Sequence, residues 1–241
     1  MTTISQTSYF RSPPTNLTPE QVLVFNGIRY SLDICDLCYD RMKKNLFDLS
    51  YSEANQIPSF PSIFSDVWSI INNATIFYNI VTRHFDIKKN DLIFEKIQGI
   101  EFLRHSNQHI DERIDEILLE RELPIYGSLS WYAQLEPNSP EGKIMMINSG
   151  TITHRKSTKT DCTNPSDKIN DEKINDIKLS MVVKINKSTF ERKIINLNEL
   201  MKGLGSIIEF FEKQMKRQLE EYEPLERHIS DLIITLYVKK S

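Results

Sequence analysis

Leu118-Leu119-Glu120-Arg121-Glu122-Leu123-Pro124-Ile125-Tyr126-Gly127-Ser128-Leu129-Ser130-Trp131-Tyr132 is where the chain changes its period. Upstream, Ile93, Ile97, Ile100, Leu103, Ile110, Ile114 and Ile117 recur at spacings that put them on one side of a helix, and only Asn107 interrupts the stripe. Pro124 cannot continue a helix, because it has no N–H to donate and its ring clashes with the preceding turn. Downstream, Tyr126 to Leu135 and Lys143 to Thr153 are rich in aromatic, β-branched and Met residues, with Pro137-Asn138-Ser139-Pro140-Glu141-Gly142 between them as a turn. Helices before this junction and a hairpin after it define an α+β protein.

Working back from the junction, a third helix is predicted over Asp91 to Glu122. A second carries Phe64, Val67, Trp68, Ile71, Ala74, Tyr78 and Val81 at helical spacing after Pro58 and Pro61. The first begins at Thr18-Pro19-Glu20-Gln21, which combines an N-cap, a proline in the first turn and a Gln placed for a capping box. Its stripe, Phe25, Ile28, Leu32, Cys35, Met42 and Leu46, runs to about Ser50. Residues 18–123 therefore read as an antiparallel helical bundle, and residues 1–17 as a flexible arm.

Working forward, residues 124–241 read as an α+β region packed on the bundle, with a flexible loop over 154–177. Strands are predicted at Leu179 to Ile185 and Arg192 to Ile195. A fourth amphipathic helix follows over Asn198 to Glu221, and Leu232 to Val238 forms a closing strand. Gly203-Leu204-Gly205 lies inside that helix, without the strand-turn-helix setting of a phosphate loop, and reads as close packing or a kink.

The 241 residues carry a formal net charge of -3, so the chain lacks the basic excess that drives unspecific binding to phosphate backbones. Any nucleic-acid contact has to be local, and His154-Arg155-Lys156 with Lys159 is one local basic cluster. Three cysteines form no disulfide framework, and Cys35-x-x-Cys38 on the apolar side of the first helix reads as buried small hydrophobes. The N-terminus has no signal-peptide pattern and no apolar run is long enough to span a bilayer, so a cytoplasmic protein without membrane association is expected.

Chemistry concentrates in Arg104-His105-Ser106-Asn107-Gln108-His109 of the third helix. His105 and His109 are one turn apart, as are Arg104 and Gln108. A guanidinium holds phosphate oxygens in a fork and offsets developing charge, while an imidazole moves protons near neutral pH. RNA supplies its own nucleophile in the 2′-hydroxyl, so such a site needs neither metal nor other cofactor.

Arg104 and His109, with four residues between them and a polar His105 directly after the Arg, resemble the Arg-x4-His motif of the HEPN superfamily of helical-bundle proteins. The resemblance covers the motif and its helical context in residues 18–123. It implies an RNA-directed protein, in its active form a metal-independent endoribonuclease of toxin or defence type that works as a homodimer. Arg104 would hold the scissile phosphate and His109 would act as general acid or base. His105, Asn107 and Gln108 would bind or orient the RNA, and two protomers would pair these helices around one cleft. The acidic residues that follow, Asp111, Glu112, Asp115, Glu116, Glu120 and Glu122, depart from an RNA-attracting surface.

Two further readings stand beside this one. His105, His109 and Glu112 lie close enough in helical angle to offer three metal ligands, although the Glu between the histidines of the His-Glu-x-x-His hydrolases is missing. Alternatively the cluster is structural, with Arg104 paired to Asp111 or Glu101 and with Asn107 and the histidines satisfying one another. The chain is then a noncatalytic interaction or scaffolding protein with a protein partner. Trp131, Tyr132 and Tyr126 are read as packing of the sheet rather than as stacking platforms for bases.

Overall fold

Thr18 starts the first helix with a reciprocal cap: its hydroxyl accepts from the Gln21 N–H at 3.3 Å, and the Gln21 side-chain carbonyl accepts from the Thr18 N–H at 2.9 Å. Helix α1 then runs Pro19–Tyr51 and α2 runs Phe60–His84, with Pro61 in its first turn. The computed structural model describes residues 2–51, 59–135, 141–151, 173–186, 188–219, 226–228 and 231–235. The apolar stripes of α1 and α2 face each other, and Ile28, Leu32, Met42, Ile70, Ile71 and Phe77 are completely buried. Asp66 is also fully buried on this face, held by the Arg41 guanidinium.

The predicted third helix is broken into short pieces. A tight helical turn spans Leu92–Ile97, capped by Asp91, whose carboxylate accepts from the Ile93 N–H at 3.0 Å. Gly99 then takes φ 84°, a left-handed conformation that glycine adopts without steric cost, and α3 begins at Ile100 and ends at Gln108. His109 (φ -113°, ψ 37°) is not helical and separates α3 from α4, Ile110–Arg113. Ile114–Leu118 is a widened π turn, and α5, Leu119–Arg121, closes on Glu122 at φ 53°. Ser106 and Arg113 occupy buried positions on the inward side of this segment, and the π turn resets the register so that the adjacent Ile117 and Leu118 both reach the core.

Four antiparallel strands follow, β1 Ser128–Gln134, β2 Gly142–Asn148, β3 Ile174–Lys184 and β4 Phe190–Asn196, in the order β2-β1-β3-β4. Leu129, Trp131 and Ala133 of β1, with Ile177, Leu179, Met181 and Val183 of β3, belong to the same buried cluster as the helical residues. Helix α6, Leu197–Leu219, contributes Leu200, Leu204, Ile207, Ile208 and Phe211 to it. A Cβ on Gly203 would stand 2.7 Å from Lys96 Cβ, so this position lets α6 lie directly on the Leu92–Ile97 turn. The architecture is α+β, with N-terminal helices, an antiparallel sheet and one long C-terminal helix.

Three further expectations are corrected. The N-terminal segment is docked: Ile4 and Phe10 are fully buried, Phe10 stacks on Phe25 at 4.9 Å, and Arg11 pairs with Asp33 at 2.6 Å. Two apolar side chains among polar neighbours were enough to anchor it. Of the loop expected over 154–177, residues 154–172 lie outside the described residues, and Ile174 already belongs to β3. The closing strand is not formed over its described part: residues 232–235 are outside the sheet, with Ile233 94% exposed. Residues 236–238 of that strand lie outside the described residues. Cys35 and Cys38 are buried free thiols, and burial pushes the Cys35 thiol far up, which suits packing rather than reactivity. Among the described residues no helix is long and apolar enough to cross a membrane.

Candidate functional site

The break at His109 sets the geometry of the cluster. Because α3 stops at Gln108, the imidazoles of His105 and His109 meet at its end, with ring centroids 4.5 Å apart and planes inclined at 56°. His109 therefore stands at a corner between two helices and not in the middle of one. Its Nδ1–H donates to the Glu112 carboxylate at 3.0 Å, an arrangement that fixes the ring and leaves Nε2 as the other functional nitrogen. His105 is exposed, yet its pKa is lowered, first by partial desolvation and then by the positive charge of His109 and Arg113.

Behind the imidazoles lies a charge network that sequence reasoning missed. Arg113 is 1% exposed and its guanidinium pairs closely with Glu116, with Glu112 a further 3.9 Å contact. Lys184, at the end of β3, also pairs with Glu116. Hydrogen bonds from Lys184 and then Arg113 hold the Glu116 carboxyl below the usual glutamate range. Two of the acidic residues thus have basic partners, which reduces the negative field at the corner. The available signal was Arg113 itself, the one basic residue on the apolar stripe of an acidic segment.

Arg104 sits half-buried on α3. Among the described residues its side chain makes no ion pair or hydrogen bond, and Nε is enclosed without a partner. The structural pairing with Glu101 is not formed, since Glu101 instead accepts from Lys89 at 2.7 Å. Gln108 is exposed. Asn107 leaves the cluster altogether and lines a cavity on the other side of α3, opposite Trp68 and Asn72 of α2. The structure brings His105, His109 and Glu112 together, then, while Arg104 makes no bond to His109 and Asn107 points elsewhere.

His105, His109 and Glu112 do not converge on a common centre in this structure. Among the described residues no group of three or more His, Cys, Asp or Glu side chains converges as a ligand set. Glu112 is engaged by the imidazole rather than turned toward a shared centre. Of the three aromatics considered for base stacking, Trp131 and Tyr132 are buried in the sheet, with Trp131 Nε1 donating to Ser50 Oγ at 2.9 Å. Tyr126 remains 43% exposed. His154, Arg155, Lys156 and Lys159 lie outside the described residues.

Comparison of the chain with protein-family models, with curated proteins and with solved structures gave no match.

Proposed function

We propose that the chain is an RNA-directed protein of the HEPN type, acting as a metal-independent endoribonuclease at the corner between α3 and α4, in a toxin or defence role. One observation carries this reading: His105, its pKa lowered, meets a carboxylate-oriented imidazole, His109, and Arg104, directly before His105, makes no ion pair or hydrogen bond among the described residues. His109 moves the proton as general acid or base, Arg104 holds the phosphate and offsets its developing charge, and His105 positions the substrate. The 2′-oxygen attacks phosphorus as its proton is taken up, and the 5′-oxygen leaves with a proton, giving a cyclic phosphate and a free 5′-hydroxyl.

In-line displacement needs a base and an acid on opposite sides of phosphorus. The two imidazoles of one protomer stand side by side at 4.5 Å, so a homodimer that faces two α3 corners across one cleft completes the site. The test is incubation of the purified full-length protein with RNA in the presence of a chelator. Cleavage leaving cyclic phosphate ends is expected, and Arg104→Ala or His109→Ala should abolish it without changing the melting temperature. An inert wild-type dimer would remove the enzymatic reading.

A second reading, a noncatalytic interaction protein, is favoured by a different surface. Leu23, Tyr30 and Leu37 are exposed at seven-residue spacing along α1. Arg29 and Tyr30 both bind Asp231 at 2.7 Å, which brings the exposed Leu232, Ile233 and Ile234 close to that row. Under this reading Arg104→Ala leaves partner capture intact and Leu37→Asp abolishes it.

A further inference from the structure

Between α2, α3 and the turn that follows β2 lies a cavity of about 660 Å3, within the range of roughly 300–1,000 Å3 typical of small-molecule sites. Phe64, Trp68 and Asn72 succeed one another at four-residue intervals along α2 and form one wall. Asn107 of α3 and Asn148 at the end of β2 supply polar groups from two other elements, and Phe60 and Tyr126 stand at its border, each 43% exposed. Four unpartnered polar atoms belong to residues that line this cavity. Trp68 Nε1, Asn72 Oδ1, Asn107 Oδ1 and Asn148 Oδ1 are all enclosed with no partner among the described residues, and Trp68 is only 5% exposed.

An indole N–H only donates, whereas a carboxamide offers a donor and an acceptor side by side. Three such amides with one obligatory donor match a ring edge on which donors and acceptors alternate. Among the described residues no Asp, Glu, Lys, Arg or His lines the cavity, so a phosphate or carboxylate meets no counter-charge from them. The aromatic side chains offer π-faces on which a planar ring stacks. A purely apolar ligand would leave the amides unmatched, and a charged one would be desolvated without compensation.

We propose that this cavity binds a nucleobase ring, its edge read by Asn72, Asn107, Asn148 and Trp68 and its face against the aromatic residues. The ring comes either from a free nucleoside or from an unstacked base of single-stranded RNA, with sugar and phosphate left outside. The proposal does not depend on phosphodiester cleavage. A catalytically inert protein that binds nucleosides or single-stranded bases here satisfies it, and an active ribonuclease that binds neither in this cavity contradicts it.

The test is calorimetric titration of the full chain with adenosine, guanosine, cytidine and uridine, and with short single-stranded homopolymers of the same bases. Saturable binding of one nucleoside identifies a free ligand. Binding of the homopolymer alone identifies an RNA base. In either case Trp68→Phe, which keeps the aromatic wall and removes the N–H, and Asn148→Ala should each weaken binding by about tenfold or more, with the melting temperature retained. Should Trp68→Phe fail to fold, Asn148→Ala at the strand end carries the comparison. Binding by neither class, or binding indifferent to the folded variants, overturns the proposal.

Discussion

Helices α1 and α2 and the segment from α3 to α5 are built from the same kinds of residue and behave differently. Along α1 and α2 the inward face runs from Ile28, Leu32 and Cys35 on one helix to Ile63, Val67 and Ala74 on the other, its buried Asp36 and Asp66 are held by Thr3 and Arg41, and both helices run uninterrupted. Along α3 to α5 the same stripe carries Ser106 and Arg113, both buried, and the backbone departs from the α-helix at Gly99, at His109 and again over Ile114–Leu118. The two regular helices form a strut. The broken segment forms a corner, and the corner is where two imidazoles, a carboxylate and a buried guanidinium come together. Irregular backbone is a recurrent feature of functional sites.

The largest expected effect separates these two regions by stability. Ile71 is fully buried between the long helices, and Ile71→Ala should lower unfolding free energy by about 2–5 kcal/mol, the cost of lost burial plus the cavity left behind. Ile114, at the start of the π turn, is 39% exposed, and Ile114→Ala should change stability by only about 0.5 kcal/mol. Denaturant unfolding of the two variants measures the difference. Equal losses would mean that the corner is as tightly packed as the strut.

The same contrast explains what the sequence disclosed. For α1 and α6 the helix extents followed closely: α1 starts from the Thr18 cap, and α6 covers nearly the predicted span. The change of period at Pro124 placed β1 and β2. A stripe is an average over positions, however, and one buried Arg among isoleucines barely alters it. The breaks around α3 therefore stayed hidden. So did Lys184, which is close to Glu116 in space and far from it in sequence. The candidate site was legible in its residue types and not in their directions: Asn107, adjacent to the histidines in sequence, faces a different cavity. That cavity draws on Trp68, Asn72 and Asn148, from elements far apart in sequence, and no local spacing reports it.

A smaller effect isolates the network behind the corner. Glu116 is held below the ordinary value of 4.5 chiefly by its hydrogen bond from Lys184 and then by Arg113. A carboxyl depressed in the folded state stabilises the fold above its unfolded value, and that contribution disappears as pH falls through the lower, folded value. The wild type should therefore lose stability on acidification below about pH 4.5, and Lys184→Met should lose less over the same window. Parallel acid profiles for the two proteins would show that Glu116 draws little from Lys184. Truncations in α1 and α2 should shift the whole profile without flattening it.

The smallest effect concerns the imidazoles. The folded environment disfavours protonated His105, first by desolvation and then by the charges of His109 and Arg113, while Glu112 opposes the shift. Its NMR titration midpoint should fall below the ordinary 6.5, and folding stability should decline as pH drops from 6.5 toward that midpoint, because the unfolded chain takes up the proton first. His109→Ala removes one positive neighbour and should raise the midpoint part of the way. Glu112→Gln removes the opposing charge and should lower it. A full return to 6.5 in His109→Ala would make the neighbouring charge, and not desolvation, the leading cause. The corner would then owe its lowered imidazole pKa to the pairing of the two histidines rather than to the way the broken helix partly shields His105 from water.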